Sequence, residues 1–99
     1  MTLVGNFLCI DKDQSAAQVK MLAAIEACRD QGQRVCTMQD LLYACKKGED
    51  YIDDGMWMGN TINDDGWAIA NKNDCNSGGD YNIEGTSGHP DNRHYRCCY

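Results

Sequence analysis

Apolar and polar positions follow a helical pattern only in the first half of the chain. Residues 3–10 are apolar and partly β-branched, and a polar turn over 11–13 follows them, so they predict a first strand. Ser15 then begins an S-x-x-Q capping pattern ahead of an apolar stripe with helical spacing. Gly32 lies just past the last turn, where a glycine ends a helix at little cost. A first helix is therefore predicted between Ser15 and Gly32.

The second predicted helix lies between Thr37 and Gly48. Thr37 and Asp40 repeat the capping pattern, and two lysines precede the final glycine. Beyond it the pattern changes, because residues 49–92 are rich in Asp, Asn and Gly and contain only short apolar pieces. Long loops with short strands are typical of such a composition. Residues 94–99 favour β structure and predict a final strand.

Length and charge narrow the classes of function. The 99 residues suit one domain with a single core. Fifteen acidic and nine basic side chains give a net charge of −6, which disfavours nucleic acid and anionic membrane surfaces as partners. The apolar stretches are far shorter than the roughly 20 residues that a membrane span needs. We therefore expect a soluble domain without membrane insertion.

The seven cysteines predict a disulfide framework and an oxidising destination. Since seven is odd, three bridges leave one thiol that is buried and inert, paired between subunits, or partnered in a longer parent chain. Cys97 and Cys98 are adjacent on the predicted final strand, so they point to opposite faces and need partners on two sides of the sheet. A helix cysteine, such as Cys28 or Cys45, suits whichever of them faces the core. The first residues lack the features of a secretory signal, so we expect a fragment or another route of export.

One run of the sequence resembles a known family. The run Gly-x-Arg-Val-Cys-Thr-x-x-Asp-Leu-x-x-Ala, from Gly32 to Ala44, resembles the link between the first and second helices of C-type-lectin-like domains in the bacterial and phage branch. Residues 56–59 resemble the tryptophan-glycine strand of that fold, and residues 95–98 resemble its terminal strand. The resemblance spans nearly the whole chain. It implies an α+β domain with two helices packed on a small antiparallel sheet, paired first and last strands, and long irregular loops.

The cysteine-rich ending is most similar to the carboxy-terminal domains of phage tail-fibre proteins, particularly those of cyanophages. This similarity implies a virion protein, extracellular after host lysis, that works within a homo-oligomeric fibre, expected to be a trimer. It also implies binding of a host-surface glycan or protein. In C-type-lectin-like domains a bridge from the first helix to the last strand is usual, which implies Cys28 with Cys97 or Cys98. A bridge from Cys75 to one of the remaining cysteines is the second expectation.

The long loops hold the residues that we expect to bind the ligand, because exposed loops on a rigid scaffold can vary without disturbing the core. Aromatic rings among carboxylates and amides suit stacking on sugar rings, with hydrogen bonds to the hydroxyls. Trp57 is expected in the core, because it lies in the strand-like motif. The predicted ligand-binding residues are Tyr51, Asp53, Asp54, Asp64, Asp65, Trp67, Tyr81 and Asn82.

Bound Ca²⁺ is one interpretation of residues 74–84, where oxygen-bearing side chains alternate around a glycine at the sixth position. The candidate ligands are Asp74, Asn76, Asp80, Asn82 and Glu84. The segment departs from the EF-hand pattern at its fifth position and in its length, and an ordinary solvated turn is the other interpretation. Zinc has weaker support, since His89 and His94 are present but a C-x-x-C pair is absent.

Catalysis is not expected. Cys36 precedes the second helix, where a thiolate would be stabilised, but a bridged cysteine is the simpler interpretation. The cysteine motif of formylglycine-generating enzymes is absent, and the chain is too short for that enzyme. Recognition is the expected function. The alternatives are a structural module that caps or trimerises a fibre, with the odd cysteine or the first strand at the subunit contact, and a small hydrolase or thiol enzyme.

Overall fold

A computed structural model describes residues 2–5, 8–11, 13, 15–52, 55–63, 66–70, 75, 81–85 and 92–99, with residues 61–63, 66, 67 and 81–85 described by their main chain alone. These residues form an α+β structure whose helices are α1 (Met21–Asp30) and α2 (Met38–Lys46). Neither helix has the length and apolarity that crossing a membrane requires. The strands are β1 (Thr2–Val4), β2 (Leu8–Ile10), β3 (Arg34–Val35), β4 (Trp57–Asn63), β5 (Gly66–Ala70), β6 (Tyr81–Gly85) and β7 (Cys97–Cys98).

In the described part of the chain, the strands form two antiparallel sheets. One has the order β1-β2-β7-β3 and the other has the order β4-β5-β6. Ile10 of β2 pairs with Cys98 of β7, so a strand near the amino terminus lies beside the last strand, as the resemblance implies. Two main-chain hydrogen bonds between Cys9 and Tyr99, of 3.1 and 2.8 Å, extend this pairing to the last residue.

The prediction of a single strand over residues 3–10 is wrong. The chain reverses within this run, and β1 and β2 pair with Leu3 opposite Cys9. Gly5 has a φ of 62° at the reversal, and a Cβ there would collide with the side chain of Tyr43. Apolar residues on both sides of the turn conceal it in the hydrophobic pattern, and the glycine was the available signal.

Helix α1 begins at Met21, later than the capping pattern at Ser15 predicts, and the side chain of its N-cap residue, Lys20, makes no capping hydrogen bond. Ser15 instead pairs with Tyr95: its main-chain nitrogen donates to the Tyr95 oxygen (2.7 Å), and its hydroxyl accepts from the Tyr95 nitrogen (3.1 Å). Val19 and Arg93 form a further antiparallel bridge. Extended pairing with the end of the chain therefore replaces the predicted first turns of the helix, because it satisfies the same main-chain groups.

The other helix boundaries agree with the sequence. In α2, the Thr37 hydroxyl accepts from the main-chain nitrogen of Asp40 (3.2 Å), and the Asp40 carboxylate accepts from the main-chain nitrogen of Thr37 (2.8 Å). This is the predicted reciprocal capping box. Gly32 and Gly48 follow the two helices with φ values of 72° and 85°, the left-handed conformation that glycine adopts without strain.

Two apolar cores lie on opposite sides of the strands. We name them the α1-side core, which includes Met21 and Cys28, and the α2-side core, which includes Leu41. Along β4, Trp57 lies in the α1-side core, while the flanking Met56 and Met58 lie in the α2-side core. The same alternation occurs at Val35 and Cys36, at Ala68, Ile69 and Ala70, and at Cys97 and Cys98. Because both faces are buried at these positions, the residues there are apolar without interruption.

Three disulfides connect the elements: Cys28–Cys97, Cys36–Cys98 and Cys45–Cys75. The first is the helix-to-last-strand bridge that the resemblance implies, and the third gives Cys75 the expected partner. Cys97 lies in the α1-side core and Cys98 in the α2-side core, which confirms the two-sided pairing predicted from their adjacency. Cys36 is bridged, as the simpler interpretation held. Cys9 is the seventh cysteine, free and half-buried.

Candidate functional site

The β4-β5-β6 sheet supports most of the Asp/Asn/Gly-rich sequence. The segments that its strands carry are 64–65 between β4 and β5, 71–80 between β5 and β6, and 86–91 after β6. At one end of the sheet, Asn63 pairs with Gly66 and Gly66 with Gly85; at the other end, Ala70 pairs with Tyr81. The two ends of β5 are roughly 13 Å apart, at about 3.3 Å per residue. The segments 64–65 and 86–91 therefore adjoin one end of the sheet, and the segment 71–80 adjoins the other end.

Buried contacts hold the end of the sheet beside Ala70. The main-chain nitrogen of Gly55 donates to the Ala70 oxygen (2.7 Å). Trp57 is buried, as expected, and its Nε1 donates to the main-chain oxygen of Val19 (2.7 Å). The Arg93 guanidinium lies 5.8 Å from the centroid of the Trp57 ring and donates to the Gly55 oxygen (3.1 Å). These contacts connect the β4-β5-β6 sheet to the segments before α1 and before β7.

A disulfide attaches one residue of the 71–80 segment to α2. Cys75 bonds to Cys45, which lies in the last turn of that helix. The carboxylate of Asp50 accepts from the main-chain nitrogens of Ile52 (3.1 Å) and Cys75 (3.4 Å). The position of residue 75 relative to α2 is therefore set both covalently and by a hydrogen bond.

Tyr51 is not a surface residue. It is 7% exposed and belongs to the α2-side core. The Arg96 guanidinium lies 5.0 Å from the ring centroid, and its Nε donates to the main-chain oxygen of Tyr51 (3.0 Å). The prediction that this ring is exposed for stacking on a ligand is therefore wrong. The acidic residues before Tyr51 are typical of a loop. The apolar Ile52 directly after it, which is buried in the structure, was the sequence signal that this segment enters the core.

Three of the predicted ligand-binding residues lie on strands of the β4-β5-β6 sheet. Trp67 lies on β5 opposite Glu84, Asn82 lies on β6 opposite Ile69, and Tyr81 begins β6. The other four lie outside the described residues: Asp53, Asp54, Asp64 and Asp65.

The two acidic pairs attach at different ends of β5. Gly55 follows the first pair and is hydrogen-bonded to Ala70. Asn63 precedes the second pair and is paired with Gly66. Gly55 and Asn63, which adjoin the two acidic pairs, therefore lie at opposite ends of β5. A ligand bound by both acidic pairs would have to contact both ends of the sheet.

The predicted calcium loop is partly a strand. Asn82 and Glu84 lie in β6, where a regular register with β5 runs from residue 81 to residue 85. The prediction of one continuous loop over 74–84 is therefore wrong for its last part, and the alternation of polar and apolar residues there was the signal for a strand. Asp74, Asn76 and Asp80 lie outside the described residues.

A shallow groove of about 310 Å³ lies between α1, β3 and β4. Its lining includes the apolar Met21, Ile25 and Val35, and the arginines Arg29 and Arg34. The Arg34 guanidinium is already paired in a two-point ion pair with the carboxylate of Asp40. The groove therefore has less positive charge to offer an anion than its two arginines suggest.

The same ion pair sets the ionisation of Asp40. Burial acts to raise the pKa of this carboxyl, but hydrogen bonds from Arg34 and Thr37 and the charge of Arg34 outweigh it. The pKa of Asp40 consequently lies below its ordinary value. The carboxylate therefore remains ionised, and able to accept the hydrogen bonds of the capping box, to lower pH than an ordinary aspartate would.

Among the described residues, one group of side chains brings three potential metal-ligating atoms together. The sulfur atoms of Cys45 and Cys75 and a carboxylate oxygen of Asp50 all lie within 4.8 Å of one another.

Comparison with protein families, curated proteins and solved structures finds no match to this chain.

Proposed function

We propose that the chain has a C-type-lectin-like fold and is the ligand-recognition domain of a phage tail fibre, which binds a host-surface glycan or protein. One observation carries the proposal: Asp/Asn/Gly-rich segments adjoin the strands of a sheet whose described side chains around Trp57 and Ile69 are buried on both faces. Such segments can change without loss of the core, which is the property that recognition of variable receptors requires.

Two further features support the fold. β2 pairs with β7, and the Cys28–Cys97 bridge joins the first helix to the last strand. Both features are expected of a C-type-lectin-like domain. The three disulfides suit a protein that works outside the cell, as a virion component does.

The chemistry of the proposed contacts is that of carbohydrate and polar protein surfaces. Carboxylates and amides hydrogen-bond hydroxyls, and aromatic rings stack on the apolar faces of sugars. Recognition through two ends of one sheet suits an extended or branched ligand. The proposed contact residues are Asp53, Asp54, Asp64, Asp65, Trp67, Tyr81 and Asn82.

Attachment of fluorescently labelled protein to intact candidate host cells tests the proposal. The double variant Asp64→Ala/Asp65→Ala should weaken attachment at least about tenfold, equivalent to about 1.4 kcal/mol, with unchanged thermal unfolding. The matched control Glu26→Ala/Asp30→Ala removes the same charge from exposed positions of α1 and should attach normally. Equal loss in both variants, or loss in neither, would contradict recognition through this end of the sheet.

A second candidate is a structural module that trimerises or caps a fibre, and one surface favours it. Leu3 and Tyr99 are 61% and 71% exposed, and both pair with Cys9, Leu3 by strand register and Tyr99 by main-chain hydrogen bonds. Residues directly opposite each other on antiparallel strands share a face. An apolar row with a free thiol at its centre therefore lies on the outer face of the first sheet.

Sedimentation velocity, combined with the cell-attachment assay, separates the second candidate from the first. A structural module should sediment as an oligomer that Leu3→Ser/Tyr99→Ser converts to monomer, while Leu22→Ser, at an exposed apolar position on α1, leaves it intact. A monomeric wild-type protein that still attaches to cells rules this candidate out and retains the first.

A further inference from the structure

The group formed by Cys45, Asp50 and Cys75 is assembled by the tertiary structure. Cys45 lies in the last turn of α2, Asp50 follows that helix, and Cys75 comes from 30 positions beyond Cys45. Their sulfur and oxygen atoms lie within 4.8 Å of one another. The Asp50 carboxylate is oriented by the main-chain nitrogens of Ile52 and Cys75, which keep it beside the two sulfur atoms.

The bridge in this group differs from the other two in its exposure. Cys45 and Cys75 are half-buried, whereas Cys28, Cys36, Cys97 and Cys98 are at most 2% exposed. Thiol–disulfide exchange requires an attacking group to reach a sulfur atom. In folded protein, a reductant should therefore open the Cys45–Cys75 bridge first and leave the two buried bridges intact.

We propose that Cys45, Cys75 and Asp50 bind a thiophilic divalent cation, with Zn²⁺ as the first candidate, when the bridge between the cysteines is reduced. An external dithiol or phosphine supplies the two electrons. The S–S bond breaks and each sulfur takes a proton. A dithiol gives up its own two protons and becomes a disulfide, whereas a phosphine becomes its oxide with water supplying the oxygen and both protons. Binding of the cation then releases both thiol protons to solvent.

Two thiolates and a carboxylate are ligand types that Zn²⁺ binds in proteins, and their three negative charges offset the charge of the cation. Zinc takes sulfur ligands at about 2.3 Å and carboxylate oxygens at about 2.0–2.2 Å in a tetrahedron. Ligands of one such ion lie roughly 3.3–3.8 Å apart. The two sulfur atoms, bonded to each other in the disulfide, must separate to that spacing after reduction, while the Asp50 oxygen is already within 4.8 Å of both. Water completes the fourth position.

The proposed site connects residue 75 to α2 under both oxidising and reducing conditions. Where the surroundings are oxidising, the disulfide holds residue 75 to α2; where they are reducing, the cation does so. A chain that folds in a reducing compartment and works in an oxidising one thereby keeps the 71–80 segment attached at the same residue throughout.

Titration with Co²⁺ under anaerobic conditions tests the site directly, because thiolate-bound Co²⁺ has charge-transfer and visible absorption bands. The protein carries Cys9→Ser, so that the free thiol does not contribute, and is treated with a phosphine until mass mapping shows Cys45 and Cys75 alone reduced. We expect one Co²⁺ per chain, displaced by Zn²⁺. Asp50→Asn should weaken binding at least about tenfold.

Glu49→Gln is the matched control, because it removes an equal charge beside Asp50 without removing a proposed ligand. It should bind Co²⁺ as the parent does. The Asp50→Asn variant retains both cysteines, so its Cys45–Cys75 bridge can still form. Thermal unfolding of the oxidised variant therefore shows that it is folded before the bridge is reduced. Absence of the charge-transfer band, reduction of a buried bridge before Cys45–Cys75, or equal affinity of the Asp50→Asn and Glu49→Gln variants would overturn the proposal.

Discussion

The guanidinium of Arg96 covers the ring of Tyr51, 5.0 Å from its centroid, while its Nε donates to the main-chain oxygen of the same residue (3.0 Å). A second nitrogen donates to the main-chain oxygen of Asp11 (2.9 Å). Arg96 is 7% exposed. One buried cation therefore joins the end of β2, the start of β7 and the segment after α2, and Tyr51 has a structural role.

Replacement of Arg96 by Met should lower the free energy of unfolding by about 2–4 kcal/mol, because it leaves buried carbonyl oxygens without their donors at about 1–3 kcal/mol each. Urea unfolding followed by tryptophan fluorescence measures the change. Arg29→Met, at an exposed position in the last turn of α1, should change stability by less than about 0.5 kcal/mol. Equal effects in the two variants would show that the Arg96 contacts add nothing.

Gly59 of β4 lies close to the main chain of Val35 and Cys36. Its main-chain nitrogen donates to the Cys36 oxygen (2.9 Å), and a Cβ there would lie 2.6 Å from the Val35 oxygen. Gly59→Ala should therefore lower stability by about 1–3 kcal/mol, measured by thermal unfolding. At Gly32 no atom of the described residues lies within 4 Å of an added Cβ, so Gly32→Asn should cost less. A Gly59→Ala variant as stable as wild type would contradict this packing.

Stability should depend on pH through Asp40. Its folded-state pKa is lowered, so its contribution is complete above the unfolded-state pKa and is lost as pH falls through the folded-state pKa. Asp40→Asn should therefore be less stable than wild type at neutral pH, by about 0.5–2 kcal/mol for a lost cap. The difference should shrink at pH values below the ordinary range of an aspartate.

Urea unfolding of both proteins across acidic and neutral pH measures this dependence. Glu26→Gln, at an exposed position of α1, serves as the control and should cost less than Asp40→Asn at neutral pH. A constant difference between Asp40→Asn and wild type at all pH values would argue against the lowered pKa as the cause.

The disulfide pattern predicts one free thiol per chain. In denaturant without reductant, iodoacetamide should label Cys9 alone, since the other six cysteines are bridged. Peptide mapping by mass spectrometry identifies the labelled residue and the three bridges. Label at any other cysteine would require a different pairing.

Local chemistry predicted α2 fully and α1 only at its end. The capping box of Thr37 and Asp40 and the glycine after α2 act within a few residues, so the sequence contains the whole signal. At the start of α1 the pattern was equally local but was overridden, because Ser15 is hydrogen-bonded to Tyr95, 80 positions away. Long-range pairing with the end of the chain outweighed the local preference.

The candidate site was predicted less completely than the fold. The Asp/Asn/Gly-rich composition did not reveal that residues 81–85 form a strand. The buried Tyr51 was mistaken for a surface ring, because burial is a property of the packed chain. The grouping of Cys45, Asp50 and Cys75 was also not visible in their spacing. Contacts between distant segments determined both.

The sequence alone determined the α+β class, the capping of α2, the turns at Gly32 and Gly48, and the need of Cys97 and Cys98 for partners on opposite faces. Each of these follows from neighbouring residues and from strand geometry. The tertiary structure decided that Cys36 pairs with Cys98, that Cys9 remains free, and that Asp50 lies beside Cys75. These outcomes depend on which apolar surfaces are buried together, and that is settled only when the whole chain packs.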